Sequence, residues 1–184
     1  MFKNKNFTKI LALLSLGVFS FFAVYSYATV GEGINQNPNS SSSSRPFETP
    51  RAIAKCFEVE NRFASKTEKL DLNHATHAQK YQAIYSRVTD FKSTAASNGS
   101  DTSRLEKYLV EFKSRIDQFE TNYQAFKSSK TETKNGACTR TEDDFRNSLE
   151  NSRRKLASVD QDSKNIIAYI RNIIFPELKN LSNK

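Results

Sequence analysis

Seven large apolar residues, Leu105, Leu109, Phe112, Ile116, Phe119, Tyr123 and Phe126, follow one another in alternating steps of four and three. That is the 3.5-residue repeat of a helix packed along its length on other helices. A strand would need a period of two, so this stretch excludes a β core. With 5 Gly, 4 Pro and no Trp in 184 residues, the chain also lacks the turn formers of a sandwich or a Gly-rich nucleotide fold. Ser103-Arg104-Leu105-Glu106 has the spacing of a capping box, so a helix is expected over about 102–129.

Two flanking segments carry related stripes. The first holds Cys56, Phe63, Leu70, His74, His77, Tyr81, Ile84, Val88 and Phe91; the third holds Phe145, Leu149, Ser152, Leu156, Val159, Ser163, Ile166, Ile170 and Ile173. Breaks are expected at Ser93–Thr102, around Asn98-Gly99, and at Ser128–Cys138, around Asn135-Gly136. Thr139-Arg140-Thr141-Glu142 can cap the third helix. Pro176 should end it, because proline lacks the N–H and clashes with the preceding turn. The expected fold is all-α: an elongated up-down-up three-helix bundle with coiled-coil-like packing over 51–184, its helices at about 52–95, 102–129 and 139–175.

The chain before residue 51 reads differently. Lys3, Lys5 and Lys9 precede an uncharged apolar run, Ile10 to Val24, and Ser26-Tyr27-Ala28 ends in small residues at the positions a signal peptidase reads. Residues 1–28 are therefore expected to be a signal peptide. The apolar run is short for a membrane span, which needs about 20 residues, and an uncleaved anchor is the alternative. Residues 29–50, with Ser40 to Ser44 in a row, form a Ser/Asn-rich linker. The formal charge of +8 drops to 25 basic against 20 acidic residues, or +5, without the three leader lysines. Those charges are interleaved along the helices, with one dense run at Arg153-Arg154-Lys155. A nucleic-acid binder concentrates its basic residues on one face, so no nucleic acid is expected. Weak contact with an anionic cell surface fits the residual charge.

Two cysteines in an exported chain favour a disulfide. Cys56 opens the first helix and Cys138 precedes the third, and in an up-down-up bundle those helices run parallel. Pairing the cysteines sets an offset of 82 residues between them. This offset brings Phe145 level with Phe63, Ile166 with Ile84 and Ile170 with Val88, and it sets small Ser163 opposite large Tyr81, as close packing favours.

Residues that could carry chemistry are few. His74 and His77 share a helix face, as metal binding would require. Two ligands do not make a site, and the carboxylates that could join them, Asp71 or Glu120, are also ordinary surface charges; the histidines are weak metal candidates, expected as core or boundary histidines with Tyr123 as a hydrogen-bond partner. No serine sits in a nucleophile elbow, no phosphate loop is present, and Asp143-Asp144 suits a helix start. Neither a cofactor nor an enzymatic activity is expected.

What remains is binding. The favoured expectation is an exported helical interaction or scaffold protein of the cell envelope or surface, with a protein partner or a second copy of itself. The alternative is a periplasmic holdase for unfolded clients. With the middle helix ending near Phe126, Phe57, Val59, Phe63 and Phe145 would lie beyond it, covered by a polar connection. They are the candidate partner-binding residues.

Tyr81 to Val88, Gly99-Ser100-Asp101-Thr102-Ser103-Arg104-Leu105, Asp117 to Tyr123, Cys138 and Phe145 to Leu149 carry a resemblance spanning most of residues 77–175. In these segments, above all the Gly-x-Asp-Thr-Ser turn, the chain resembles uncharacterised exported helical proteins of small-genome bacteria of the candidate phyla radiation. The resemblance implies an exported helical domain and brings no activity or site residues with it.

Overall fold

A computed structural model describes residues 50–136 and 141–183; the side chains of residues 50–57, 59, 60, 63, 64 and 142 lie outside the described set. The described residues form three successive helices and no strand. Helix α1 spans Pro50–Ser97 and α2 spans Ser103–Gly136. The third helix begins as α3, Glu142–Tyr169, widens into a π turn at Ile170–Ile174 and continues as α4, Phe175–Ser182. Helix α2 packs on both neighbours, most extensively on α3. The all-α three-helix bundle is the fold.

The first turn follows from its residues. Gly99 has φ +81°, the left-handed conformation that a glycine adopts without a Cβ penalty. Ser100 N–H bonds to Ala95 O at 3.0 Å and Gly99 N–H to Ala96 O at 2.9 Å, the paired bonds of a Schellman stop. Helix α2 then starts differently from the expected capping box. Asp101 Oδ1 accepts from Ser103 N–H at 3.0 Å, and Glu106 reaches across to Lys92 at 3.6 Å instead of folding back. At the start of α3 the cap is Thr141, whose hydroxyl accepts from Asp144 N–H at 3.2 Å.

The stripe of α2 is the centre of the core. Leu105, Leu109, Phe112, Ile116, Phe119, Tyr123 and Phe126 are all buried, against Tyr81, Val88, Phe91 and Ala95 of α1 and Val159, Ile166 and Ile170 of the third helix. Tyr81 and Ser163 share a buried hydrogen bond of 2.7 Å. They are 82 residues apart, so the first and third helices stand at the expected offset at this level.

Two helix ends differ from expectation. Helix α2 runs on past 129 to Gly136, because Ser129, Thr133 and Gly136 continue the three-and-four spacing and are buried in turn. The small polar side chains of Ser129 and Thr133 look like a break in the sequence, yet each fills a stripe position against α3. Pro176 does not end the third helix at 175. The π turn before it closes with Phe175 N–H bonded to Ile170 O, and the wider winding accommodates a residue without an N–H. Helix α4 therefore continues, burying Leu178 and Leu181. The third-helix stripe shifts as well: Ile174 is buried and Ile173 only half-buried.

Candidate functional site

The bundle has two unlike halves. Toward Gly99 the three helices close on a core of aromatic and aliphatic side chains. Here α3 is fastened to α2 by Tyr169, whose hydroxyl donates toward Tyr108 O at 3.2 Å and Glu111 Oε2 at 3.1 Å. Burial and the Glu111 carboxylate push that phenol well above its ordinary pKa. Toward Gly136 the packing is polar, and this half holds the candidate site.

Between α2 and α3 it is built from hydroxyls. Thr133 is fully buried. Its Oγ1 donates to the carbonyl oxygen of Ser129 at 2.9 Å or of Ser148 at 3.1 Å, and also lies 2.8 Å from Ser148 Oγ and 2.9 Å from Ser152 Oγ. Ser129 and Ser152 share a further bond of 2.9 Å, and Asn151 Nδ2 donates to Ser129 Oγ at 3.3 Å. Buried polar groups need such partners, so the ladder satisfies itself while contributing little apolar burial. Beside it lies an open polar groove of about 400 Å³ lined by Glu132, Asp144, Asn147, Ser148 and Asn151.

Between α1 and α2 a second polar cluster surrounds His74. Its ring lies face to face on Tyr123, centroids 3.4 Å apart and planes at 4°, with Phe119 at 5.0 Å. His74 thus stacks on Tyr123, where a hydrogen bond was expected. The Tyr123 hydroxyl donates instead to Asp71. Asp71 also pairs with the buried Lys130 at 3.7 Å, whose ammonium lies 5.7 Å from the Phe126 ring. His74 Nε2 approaches Glu120 Oε2 to 2.9 Å. Burial lowers the His74 pKa, against the pull of Glu120 and Asp71 and with a push from Lys127. Burial likewise lowers the Lys130 pKa, opposed by Asp71.

His77 Nδ1 sits 3.4 Å from the Tyr81 hydroxyl. Burial lowers its pKa too, helped by Lys80 and His74. Among the described residues no three His, Cys, Asp or Glu side chains converge on a point where a metal ion could sit.

The premise behind the candidate partner surface needs correction, because α2 does not run out near 126. It accompanies α3 to Gly136, and its face there is hydroxyl and lysine instead of apolar. Phe145, Leu149 and Leu156 on α3 are only half-buried, as is Leu70 on α1. The side chains of Phe57, Val59 and Phe63 lie outside those described, as does Cys138 altogether; Cys56 has a described backbone in α1 but not a described side chain.

No protein-family model, curated protein or solved structure matches this chain. Function therefore has to be read from the site. Sequence reasoning missed the pairing of Asp71 with Lys130, and it missed the hydroxyl ladder. The ladder had a signal: the steps from Phe126 to Ser129, Thr133 and Gly136 are three, four and three.

Proposed function

We propose that the chain is an exported helical interaction or scaffold protein without enzymatic activity, and that its Gly136 half does the contacting. The observation that carries this is the contrast within one stripe. Val159, Ile166 and Ile170 are buried, whereas Phe145, Leu149 and Leu156 of the same helix stay half-exposed beside a polar α2 face. Apolar surface rimmed by polar residues commonly meets another protein. Export rests on the signal-peptide pattern of residues 1–28.

A Cys56–Cys138 disulfide belongs to this reading. The Tyr81–Ser163 bond stands at the 82-residue offset that pairing Cys56 with Cys138 calls for, which supports this reading. Closing a loop of that length would stabilise by roughly 4 kcal/mol in the chain-entropy model. Peptide mapping under non-reducing conditions should find the bridge; two free thiols would remove it.

For the contact surface the test is in-cell cross-linking of wild type against Phe145→Ser with Leu149→Ser, in a variant shown by circular dichroism to stay folded. Loss of the cross-linked species supports the site. Unchanged cross-links place the contact elsewhere. Suppressed light scattering from an aggregating client, lost in the same variant, would turn the reading toward the holdase.

A further inference from the structure

Helix α1 is one uninterrupted helix of 48 residues, yet its two halves are held in different ways. From Tyr81 onward it buries Tyr81, Val88, Phe91 and Ala95. Between Glu58 and Lys80 none of its described side chains is buried; Thr67, Leu70, Asp71, His74, His77, Ala78 and Lys80 reach only half-burial. Asp71 and His74 join this half to α2: the Tyr123 hydroxyl and Lys130 meet the first, and the Tyr123 and Phe119 rings and Glu120 meet the second. Beyond them α2 presents Lys127 and Lys134, both exposed.

Segments with few buried apolar contacts open at a lower free energy than the core they lean on. We infer that the stretch of α1 around Asp71 and His74, residues 65–80, forms a strap that lifts from the bundle while the core stays folded, with Asp71, His74, Tyr123 and Lys130 as its latch. At the 82-residue offset the strap stands level with Leu149 and Leu156, so its opening widens the approach to the α3 face assigned above to a partner. The strap thereby regulates access to that site. Its purpose rests on the proposed contact surface, but its test does not, because opening is read on the protein alone.

The test is hydrogen–deuterium exchange followed by mass spectrometry on the full exported protein, with thiols reduced so that no covalent tie at Cys56 masks the opening. In the wild type, amides of 65–80 should exchange at least about a hundredfold faster than those of 84–95, once intrinsic rates are divided out. Asp71→Ala strips Lys130 and the Tyr123 hydroxyl of a shared partner, and Tyr123→Phe deletes the hydroxyl alone. Each should speed exchange in 65–80 by about tenfold or more and leave 84–95 and α2 unchanged. Equal protection of both halves of α1 in the wild type overturns the strap. Variants that change nothing, or that loosen both halves together, overturn the latch.

Discussion

The hydrogen bond between Tyr81 and Ser163 gives the most direct test of how α1 and α3 are matched. Both residues are nearly inaccessible, at 3% and 6% exposure, and their oxygens are 2.7 Å apart. Ser163→Ala removes the 2.7 Å partner of the buried Tyr81 hydroxyl, and His77 Nδ1 at 3.4 Å is a poor substitute for it, so a loss of about 1–3 kcal/mol is expected. Tyr81→Phe costs less, about 1 kcal/mol, because a helical serine can turn its hydroxyl onto a carbonyl of the preceding turn. Once one partner is gone, removing the second leaves nothing further unsatisfied. The double variant should therefore be more stable than the two single losses predict, by about 1 kcal/mol or more. Urea unfolding of the four proteins, with thiols reduced and equal m-values as the check on two-state behaviour, measures this coupling. A control pairs Tyr81→Phe with Ser152→Ala, eleven residues or about 16 Å along α3; those effects should add. A Tyr81–Ser163 coupling below about 0.3 kcal/mol would refute the register, and with it the support for the proposed Cys56–Cys138 bridge.

The α2 stripe predicts a sharp contrast: Ile116→Asp places a charge in the core and should cost several kcal/mol in chemical denaturation, whereas Val110→Asp, at a position 70% exposed, should stay within about 0.5 kcal/mol. Thr133→Val keeps the shape and deletes the hydroxyl at the centre of the ladder, so the loss should be about 1–3 kcal/mol; no loss would mean the ladder is not formed. Acid should weaken the bundle through its histidines. Both have pKa values lowered from 6.5 by burial, so the unfolded chain takes up protons that the folded one resists, and stability is full above about pH 6.5 and falls as the pH drops through the interval below it. His77→Gln should reduce that fall in pH-dependent thermal melts, and an unchanged pH profile would show that His77 is not buried as described.

Large side chains made much of this fold legible. The Leu105-to-Phe126 repeat announces its own burial, and pairing a large Tyr81 with a small Ser163 gives a register from volume alone. The missed parts follow from chemistry that hydrophobic patterning does not register. Ser129 and Thr133 are buried because they bond to each other's neighbours, and no scale of apolarity marks a residue whose partner is another hydroxyl. Lys130 is buried beside Asp71, a pairing across two helices that neither stripe reveals by itself. The His74–Tyr123 contact was expected with the right residues and the wrong geometry: sequence brings the two to one level, but whether rings stack or bond depends on side-chain angles. Pro176 was read by the usual rule for a proline inside a helix, which presumes an ordinary α turn before it.

That turn has a consequence for how the chain tolerates changes in length. Ile166, Ile170, Ile174 and Leu178 are all buried and lie four residues apart, a spacing that drifts by about 40° per step around an ordinary α-helix. Three steps would carry Leu178 about 120° away from Ile166. The π turn at Ile170–Ile174 takes in one extra residue and returns about 100° of that drift. In effect the segment holds a spare residue. Deleting one residue from Ile170–Ile174 trades a wide turn for a regular one and leaves Leu178 and Leu181 in phase. The same deletion between Leu109 and Ile116 has no slack to draw on, and it swings every later residue of the α2 stripe off its neighbours.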